Sequence, residues 1–305
     1  MKKVLITGAL GQDGIILSKL YLKKKFKVFG FIDKKKENRI KKVIYKINDL
    51  RSKKKVVGHL KIIKPDIILH LASSNNSYLK RENKENYKIN YLQNLRLTQN
   101  LINSIIENNL KPNFIFAGSS LMFQNNLKGT VSENTNFKSD KYYGKYKIDS
   151  HNLIMSMKER VKIKASTVIL FNHDSIYRGK KFLIPRLIKA FIDKDHFFIE
   201  NIYKQNISGD FSHADDICEG IYKLSVSKLD IDKLILSSGR RFYVNRIINF
   251  LENFFNFEIK KKIIKENINL NLVGSNKLAK KLLNYKTKKT LLHACKEIIK
   301  IIYKS

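Results

Sequence analysis

Tyr143 and Lys147 stand four residues apart in the run Tyr142-Tyr143-Gly144-Lys145-Tyr146-Lys147, and on a helix that spacing puts both side chains on one face. A lysine ammonium beside a phenol favours the phenolate and brings its titration toward neutrality. Ser119 follows an apolar run, Asn113-Phe114-Ile115-Phe116-Ala117-Gly118, and a serine arriving from a strand end can hydrogen-bond the same substrate oxygen. Together the three suit the interconversion of an alcohol and a ketone beside a nicotinamide. Tyrosine and lysine are abundant in this chain, so the spacing alone arises easily, as Tyr142 and Tyr146 illustrate. The surrounding elements have to supply the rest.

Those elements begin at the amino terminus. Lys3-Val4-Leu5-Ile6 reads as a strand, Thr7-Gly8-Ala9-Leu10-Gly11-Gln12-Asp13-Gly14 as a glycine-rich turn, and Ile15, Ile16, Leu17 and Leu20 as the buried face of a helix. Gly8 permits the tight turn, Gly11 lets a dinucleotide pyrophosphate approach the backbone, and Gly14 lets the helix lie close on the sheet. Gln12 and Asp13 belong to the same cofactor loop, and the helix N-terminus offers it N–H groups and a positive dipole end. A second strand, Lys27–Ile32, ends at Asp33, an acidic residue placed to bind the adenosine ribose and favour NAD. Lys34 and Lys35 follow at once and would suit the extra phosphate of NADP; the reading leans slightly to NAD. A third strand, 43–47, leads to Asp49 and Leu50 near the adenine. A fourth, 65–72, is apolar on both faces and delivers Leu71, Ala72 and Ser73 to its carboxyl end, with His70 read as a satisfied core residue.

With a helix expected over 90–108, this alternation specifies an α/β fold, a Rossmann-type doubly wound parallel sheet covered on both faces. Ligands gather at the carboxyl ends of such strands, where Gly8, Asp33, Ser73 and Ser119 all fall. The expected division is an NAD(P)-binding domain over 1–170 and a smaller substrate-binding domain over 171–305, with some strand exchange between them.

The 305 residues carry a formal charge of +35, from 61 Lys and Arg against 26 Asp and Glu. The lysines are spread from end to end, in runs such as Lys23-Lys24-Lys25 and Lys260-Lys261-Lys262. Lys, Ile and Asn are abundant, Arg, Ala, Gly and Pro scarce, and Trp absent. This joint skew reads as A/T-rich codon drift on tolerant surface positions rather than selection for a polyanion, so no specific nucleic-acid partner is expected. The positive field would still draw in an anionic substrate. Cys218 and Cys295 match no metal or redox spacing and read as core, with no metal site expected. Strand residues from Val4 onward leave no room for a leader, and no apolar run is long enough to span a membrane. A cytoplasmic protein with reduced thiols, assembled as a homo-oligomer, is the expectation.

The glycine loop TGALGQDG, HLASS, AGSS and the Tyr143/Lys147 pair together resemble the extended short-chain dehydrogenase/reductases. Within them the run Leu170-Phe171-Asn172-His173-Asp174-Ser175-Ile176-Tyr177-Arg178-Gly179, with Phe182 and Arg186, resembles the GDP-mannose 4,6-dehydratase branch. The likeness continues through Asp210-Phe211-Ser212-His213-Ala214-Asp215-Asp216 to Gly274–Tyr285 and covers nearly the whole chain. It implies a nucleotide-sugar substrate, a GDP-linked hexose, with Ser120, Asn172, Arg178 and Arg186 on the substrate side. Lys265 stands where that branch has a diphosphate-binding arginine. The resemblance implies Tyr143 as the group that takes the C4 hydroxyl proton while hydride leaves for the cofactor. One departure bears on the chemistry. These dehydratases carry a glutamate after the catalytic hydroxyl, to take the C5 proton, and this chain reads Ser119-Ser120-Leu121. A 4-keto sugar reductase or an epimerase needs Ser119, Tyr143 and Lys147 but no glutamate, and is the alternative. A non-catalytic dinucleotide- or polyanion-binding protein on the same fold is a third reading.

Overall fold

The protein is described here by a computed structural model covering residues 1–33, 39–47, 49–74, 84–123, 129–260 and 272–302. Lys34, Lys35 and Lys265 lie outside the described residues. Short runs rich in Ile, Val, Leu and Phe form strands, and amphipathic stretches between them form helices. In chain order the first half gives β1 (Lys3–Thr7), α1 (Gln12–Lys23), β2 (Lys27–Ile32), β3 (Ile44–Ile47), α2 (Lys53–Ile63), β4 (Ile67–His70), α3 (Lys84–Glu107), β5 (Asn113–Ala117), β6 (Thr130–Val131), α4 (Tyr142–Val161) and β7 (Ala165–Leu170). The second half gives β8 (Asn172–Asp174), α5 (Leu183–Ile192), α6 (His196–Lys204), β9 (Ser208–His213), α7 (Ala214–Val226), β10 (Lys233–Leu236), β11 (Arg241–Tyr243), α8 (Asn245–Phe255), β12 (Val273–Gly274), α9 (Lys277–Leu283) and α10 (Leu291–Ile302).

Seven strands make one parallel sheet in the order β10-β7-β5-β4-β1-β2-β3, the reversal at β1 being the switch point that opens a crevice at the carboxyl ends. Its central strands are buried on both faces, β4 and β7 at every residue. On one face α1, α7 and α9 pack through Leu17, Tyr21, Ile217, Ile221, Leu224 and Leu283. On the other, α2, α3 and α4 contribute Val56, Leu60, Leu101, Ile105, Ile154 and Met157. A separate core joins α5, α6, α8 and α10 through Leu187, Ile188, Phe191, Ile247, Leu251 and Cys295. Each such side chain contributes roughly 1.5–3 kcal/mol on full burial. Cys218 and Cys295 are both buried, and burial pushes both thiols up, that of Cys295 to about 12, as core cysteines require.

Two boundaries differ from the sequence-based expectation for physical reasons. β4 stops at His70 because the next two N–H groups, of Leu71 and Ala72, turn to the Thr7 hydroxyl instead of continuing the ladder. α3 begins six residues before Asn90, and Leu92, expected on its buried face, is 53% exposed. The buried stripe ahead of Leu101 is polar, made of Asn94, Thr98 and Asn100, which apolar periodicity does not register. Asn94 clamps Ser74 through both its backbone N–H and C=O at 2.8 Å. Asn100 donates to the Leu50 carbonyl at 2.7 Å.

Candidate active site

At the carboxyl edge of the sheet the glycine loop is held from behind by one hydroxyl. Thr7 Oγ1 accepts the N–H groups of Leu71 at 3.1 Å and Ala72 at 3.0 Å, and lies 2.9 Å from His70 Nδ1. With both lone pairs so used, its own proton goes to Nδ1, and His70 Nε2–H points to Thr98 Oγ1 at 3.1 Å. Burial lowers His70 to about 3, so it is neutral. The reading of His70 as a satisfied core residue agrees with this geometry; Thr7 was not singled out from sequence, and a threonine ending a strand carries no signal by itself.

Gly8 has φ +69°, and a Cβ there would sit 3.1 Å from the Ala72 backbone. A Cβ on Gly14 would meet the Gly8 carbonyl oxygen at 2.4 Å, so α1 could not lie this close to the turn with any side chain at that position. Gly11 caps α1 without a side-chain hydrogen bond, which leaves the first-turn N–H groups to a ligand. That donor set, with no side chain in the approach, fits a dinucleotide pyrophosphate. Gln12 and Asp13 turn their side chains away from this approach. Gln12 donates to the His173 carbonyl at 3.1 Å and accepts from Ser175 Oγ at 3.0 Å. Both Asp13 carboxylate oxygens lie 3.1 Å from His173 Nε2, while His173 Nδ1 lies 2.6 Å from the Phe171 carbonyl. With both ring nitrogens facing acceptors the imidazole is protonated. Burial works against either charge, but each partner outweighs it: His173 titrates above its ordinary value and Asp13 below. Of the loop residues expected at the cofactor, these two use their side chains to tie the loop to β8.

Asp33 follows β2 directly and is exposed. The Asp49 carboxylate, expected at the adenine edge, is instead taken by Arg51, with Nε at 2.8 Å and Nη2 at 3.1 Å, and those hydrogen bonds hold it below the usual carboxylate range. Leu50 is buried in the core beneath α2 and α3.

Tyr143 and Lys147 span the ends of two strands. Lys147 Nζ donates to the carbonyl of Ala117, the last residue of β5, at 2.6 Å, and Tyr143 Oη lies 3.3 Å from the hydroxyl of Ser73 beyond β4. The lysine is 2% exposed and surrounded by rings, its Nζ 4.7 Å from the centre of Phe116, 4.9 Å from Tyr146 and 5.4 Å from Tyr143. Burial lowers it to about 7, so near neutral pH ammonium and amine coexist. Tyr146 is fully buried and its phenol is held well above the ordinary value by burial; it stays protonated. Ser119 Oγ accepts the Leu121 N–H at 3.2 Å and caps the 3-10 turn Ser120–Met122. Gly144 lets α4 meet that turn: a Cβ would lie 2.2 Å from the Leu121 carbonyl oxygen and 2.0 Å from Ser139 Oγ. The glycine directly after Tyr143 was the available signal for this approach.

On the far side, Asn172 opens β8. Arg178 is paired with Asp174 at 2.5 Å, and its guanidinium carbon lies 3.6 Å from the centre of the Phe182 ring. Arg186 stacks on Phe198 at 4.5 Å. The structure thus brings Gly8, Gly11, Gly14, Ser73, Tyr143 and Lys147 to one edge, and it gives the two arginines intramolecular partners that their sequence positions did not announce.

A doubly wound sheet with this loop and a Ser/Tyr/Lys set is the architecture of the short-chain dehydrogenase/reductases. Solved structures agree: UDP-glucose 4-epimerase from Thermotoga maritima, in complex with UDP-glucose, aligns with TM-score 0.83 at 16% identity over 99% of both chains. UDP-glucuronic acid 4-epimerase from Bacillus cereus, in complex with NAD, aligns with TM-score 0.80 at 18% identity, again over 99% of both. Residues 5–298 match the family profile described as GDP-mannose 4,6 dehydratase, and the chain belongs to that family. It is 25% identical to GDP-mannose 4,6 dehydratase 1 of Arabidopsis thaliana over 94% of this chain and 86% of the relative. It is likewise 25% identical to the human GDP-mannose 4,6 dehydratase over 88% of this chain and 76% of that one. Among the described residues no helix is long and apolar enough to cross a membrane, and no cluster of His, Cys, Asp or Glu could hold a metal ion.

Proposed function

We propose that this chain is a nucleotide-sugar-modifying enzyme that exchanges hydride at C4 of a GDP-linked hexose with NAD or NADP. The observation that carries the reading is the placement of Tyr143 and Lys147 on one turn of α4, against the ends of β4 and β5 and beside an open glycine loop. Gly8, Gly11, Gly14 and the backbone of Gln12 and Asp13 would hold the cofactor, with Asp33 toward its ribose, and it would supply a hydride acceptor or donor. The protein moves the proton: Tyr143 takes it from the C4 hydroxyl, Ser119 donates its remaining hydroxyl hydrogen to the same oxygen, and Lys147 favours the phenolate. Ser120, Asn172, Arg178, Arg186 and Lys265 are assigned to the substrate by family likeness. Arg178 would share its guanidinium between Asp174 and a phosphate, which five donors allow.

Leu121 favours a narrower reaction than that of the family's name. It stands in the turn after Ser119, where a base for the C5 proton would be needed, and leucine cannot supply one. The next carboxylate in the chain, Glu133, accepts the Ile235 N–H at 2.8 Å and is tied to β10. Hydride exchange can proceed without that base, whereas loss of water across C5 and C6 stalls; a 4-keto sugar reductase or epimerase is the reading this observation favours. Mass spectrometry after incubation with GDP-mannose and each nicotinamide tests it. Little or no dehydrated 4-keto-6-deoxy product is expected, and Leu121→Glu should restore some. Robust water loss by the unmodified protein overturns the assignment.

A further inference from the structure

We propose that Ser73 is a positioning residue for Tyr143, its hydroxyl donating to the tyrosine oxygen and holding it as the phenolate that accepts the substrate proton. The proposal rests on the reading above that Tyr143 is the acid–base group. The two oxygens are 3.3 Å apart, and the backbone on each side of Ser73 is fixed. Ala72 N–H is held by Thr7 Oγ1 at 3.0 Å, and Ser74 is held at both N–H and C=O by Asn94 at 2.8 Å. With the backbone fixed on both sides, only the side-chain rotors of Ser73 remain to be ordered when it turns to its partner.

Four described groups near Tyr143 are less suited to this task. From its own helix, Lys147 spends one donor on the Ala117 carbonyl at 2.6 Å, which leaves room for a second group at the phenolate. Tyr146, also on α4, likewise lies close to Ser73, and burial holds its phenol protonated. From α3, Tyr91 directs its hydroxyl to Asp149 at 2.6 Å. From β4, His70 is neutral and bound between Thr7 and Thr98. From the β4 end, Ser73 presents its hydroxyl 3.3 Å from Tyr143 Oη. In the forward step one O–H bond breaks at the substrate and one forms at Tyr143 Oη. Ser73 then changes from donor to acceptor and keeps its own proton throughout.

A hydrogen bond to a charged oxygen has a worth that corresponds to about a tenfold effect or more on the equilibrium it biases. Two readouts follow. Ser73→Ala should lower kcat about tenfold with KM within about threefold, moving the acid limb of the rate profile upward. Independently of any substrate, the Tyr143 phenol can be titrated by its phenolate absorbance as a difference against Tyr143→Phe. The midpoint should rise by about one pH unit in Ser73→Ala and return in Ser73→Thr, which keeps the hydroxyl. Should Ser73→Ala fail to fold, Ser73→Cys has nearly the same size and a weaker donor, and should raise the midpoint too. Superimposable titrations of a folded variant lacking the hydroxyl and the unmodified protein overturn the role of Ser73. Because that titration needs no nucleotide sugar, an inactive unmodified enzyme would count against the proposed reaction and leave the test of Ser73 intact.

Discussion

The glycine loop and the first turn of α4 meet at one edge of the sheet, yet they are held in opposite ways. In the loop the ligand-facing groups are backbone N–H, and the side chains turn inward: Thr7 to β4, Gln12 and Asp13 to β8. On α4 the ligand-facing groups are side chains, and the backbone is placed by a glycine that admits the Leu121 carbonyl. The difference separates two kinds of damage. Altering the loop should change packing and cofactor affinity, whereas altering Tyr143 should change rate and little else.

The sharpest test of this contrast is Tyr143→Phe. Turnover should fall by about 10²–10⁴-fold, the usual worth of a general acid–base group, while cofactor affinity measured by calorimetry stays within a few-fold. Turnover near that of the unmodified protein would remove Tyr143 from the chemistry. Next in size is Gly14→Ala, whose Cβ would overlap the Gly8 carbonyl oxygen at 2.4 Å. Overpacking of this kind costs about 1–3 kcal/mol, and denaturant titration should show that loss together with weaker cofactor binding. An unchanged midpoint and affinity would mean that the loop yields freely, and the contrast would collapse.

Asp33→Ser should have an effect of about tenfold, read as the ratio of NAD to NADP affinity, since the carboxylate repels a 2′-phosphate. Equal or tighter NADP binding by the unmodified protein would show that the neighbouring lysines dominate. The smallest effect is expected for the Asp13–His173 pair. The raised His173 contributes stability that is fully present below its unfolded value and is lost as pH rises through the folded one. The lowered Asp13 contributes stability that is present above its unfolded value and is lost as pH falls through the folded one. The pair therefore stabilises most between about pH 4 and pH 6.5. Thermal unfolding of His173→Gln should lie a few degrees further below the unmodified protein at pH 5.5 than at pH 9; an equal gap at both would show that the pair is not ionised.

The sequence by itself determined the sheet, the glycine loop and the alignment of Tyr143 with Lys147 on one helix face. Each of these depends on local rules: apolar runs of strand length, a positive φ that suits Gly8, and a helical repeat that aligns Tyr143 with Lys147. Only the tertiary structure decided what surrounds them. That Lys147 is caged by three rings and lowered to about 7 depends on Phe116, thirty-one residues away on another strand. That Asp13 belongs to His173, on a distant strand, follows from which charged groups the packing leaves within reach of each other. The polar stripe of α3 was invisible for a related reason. Asn94 and Thr98 are buried because β4 ends in groups that need hydrogen bonds, and such a requirement exists only once strand and helix have been brought together.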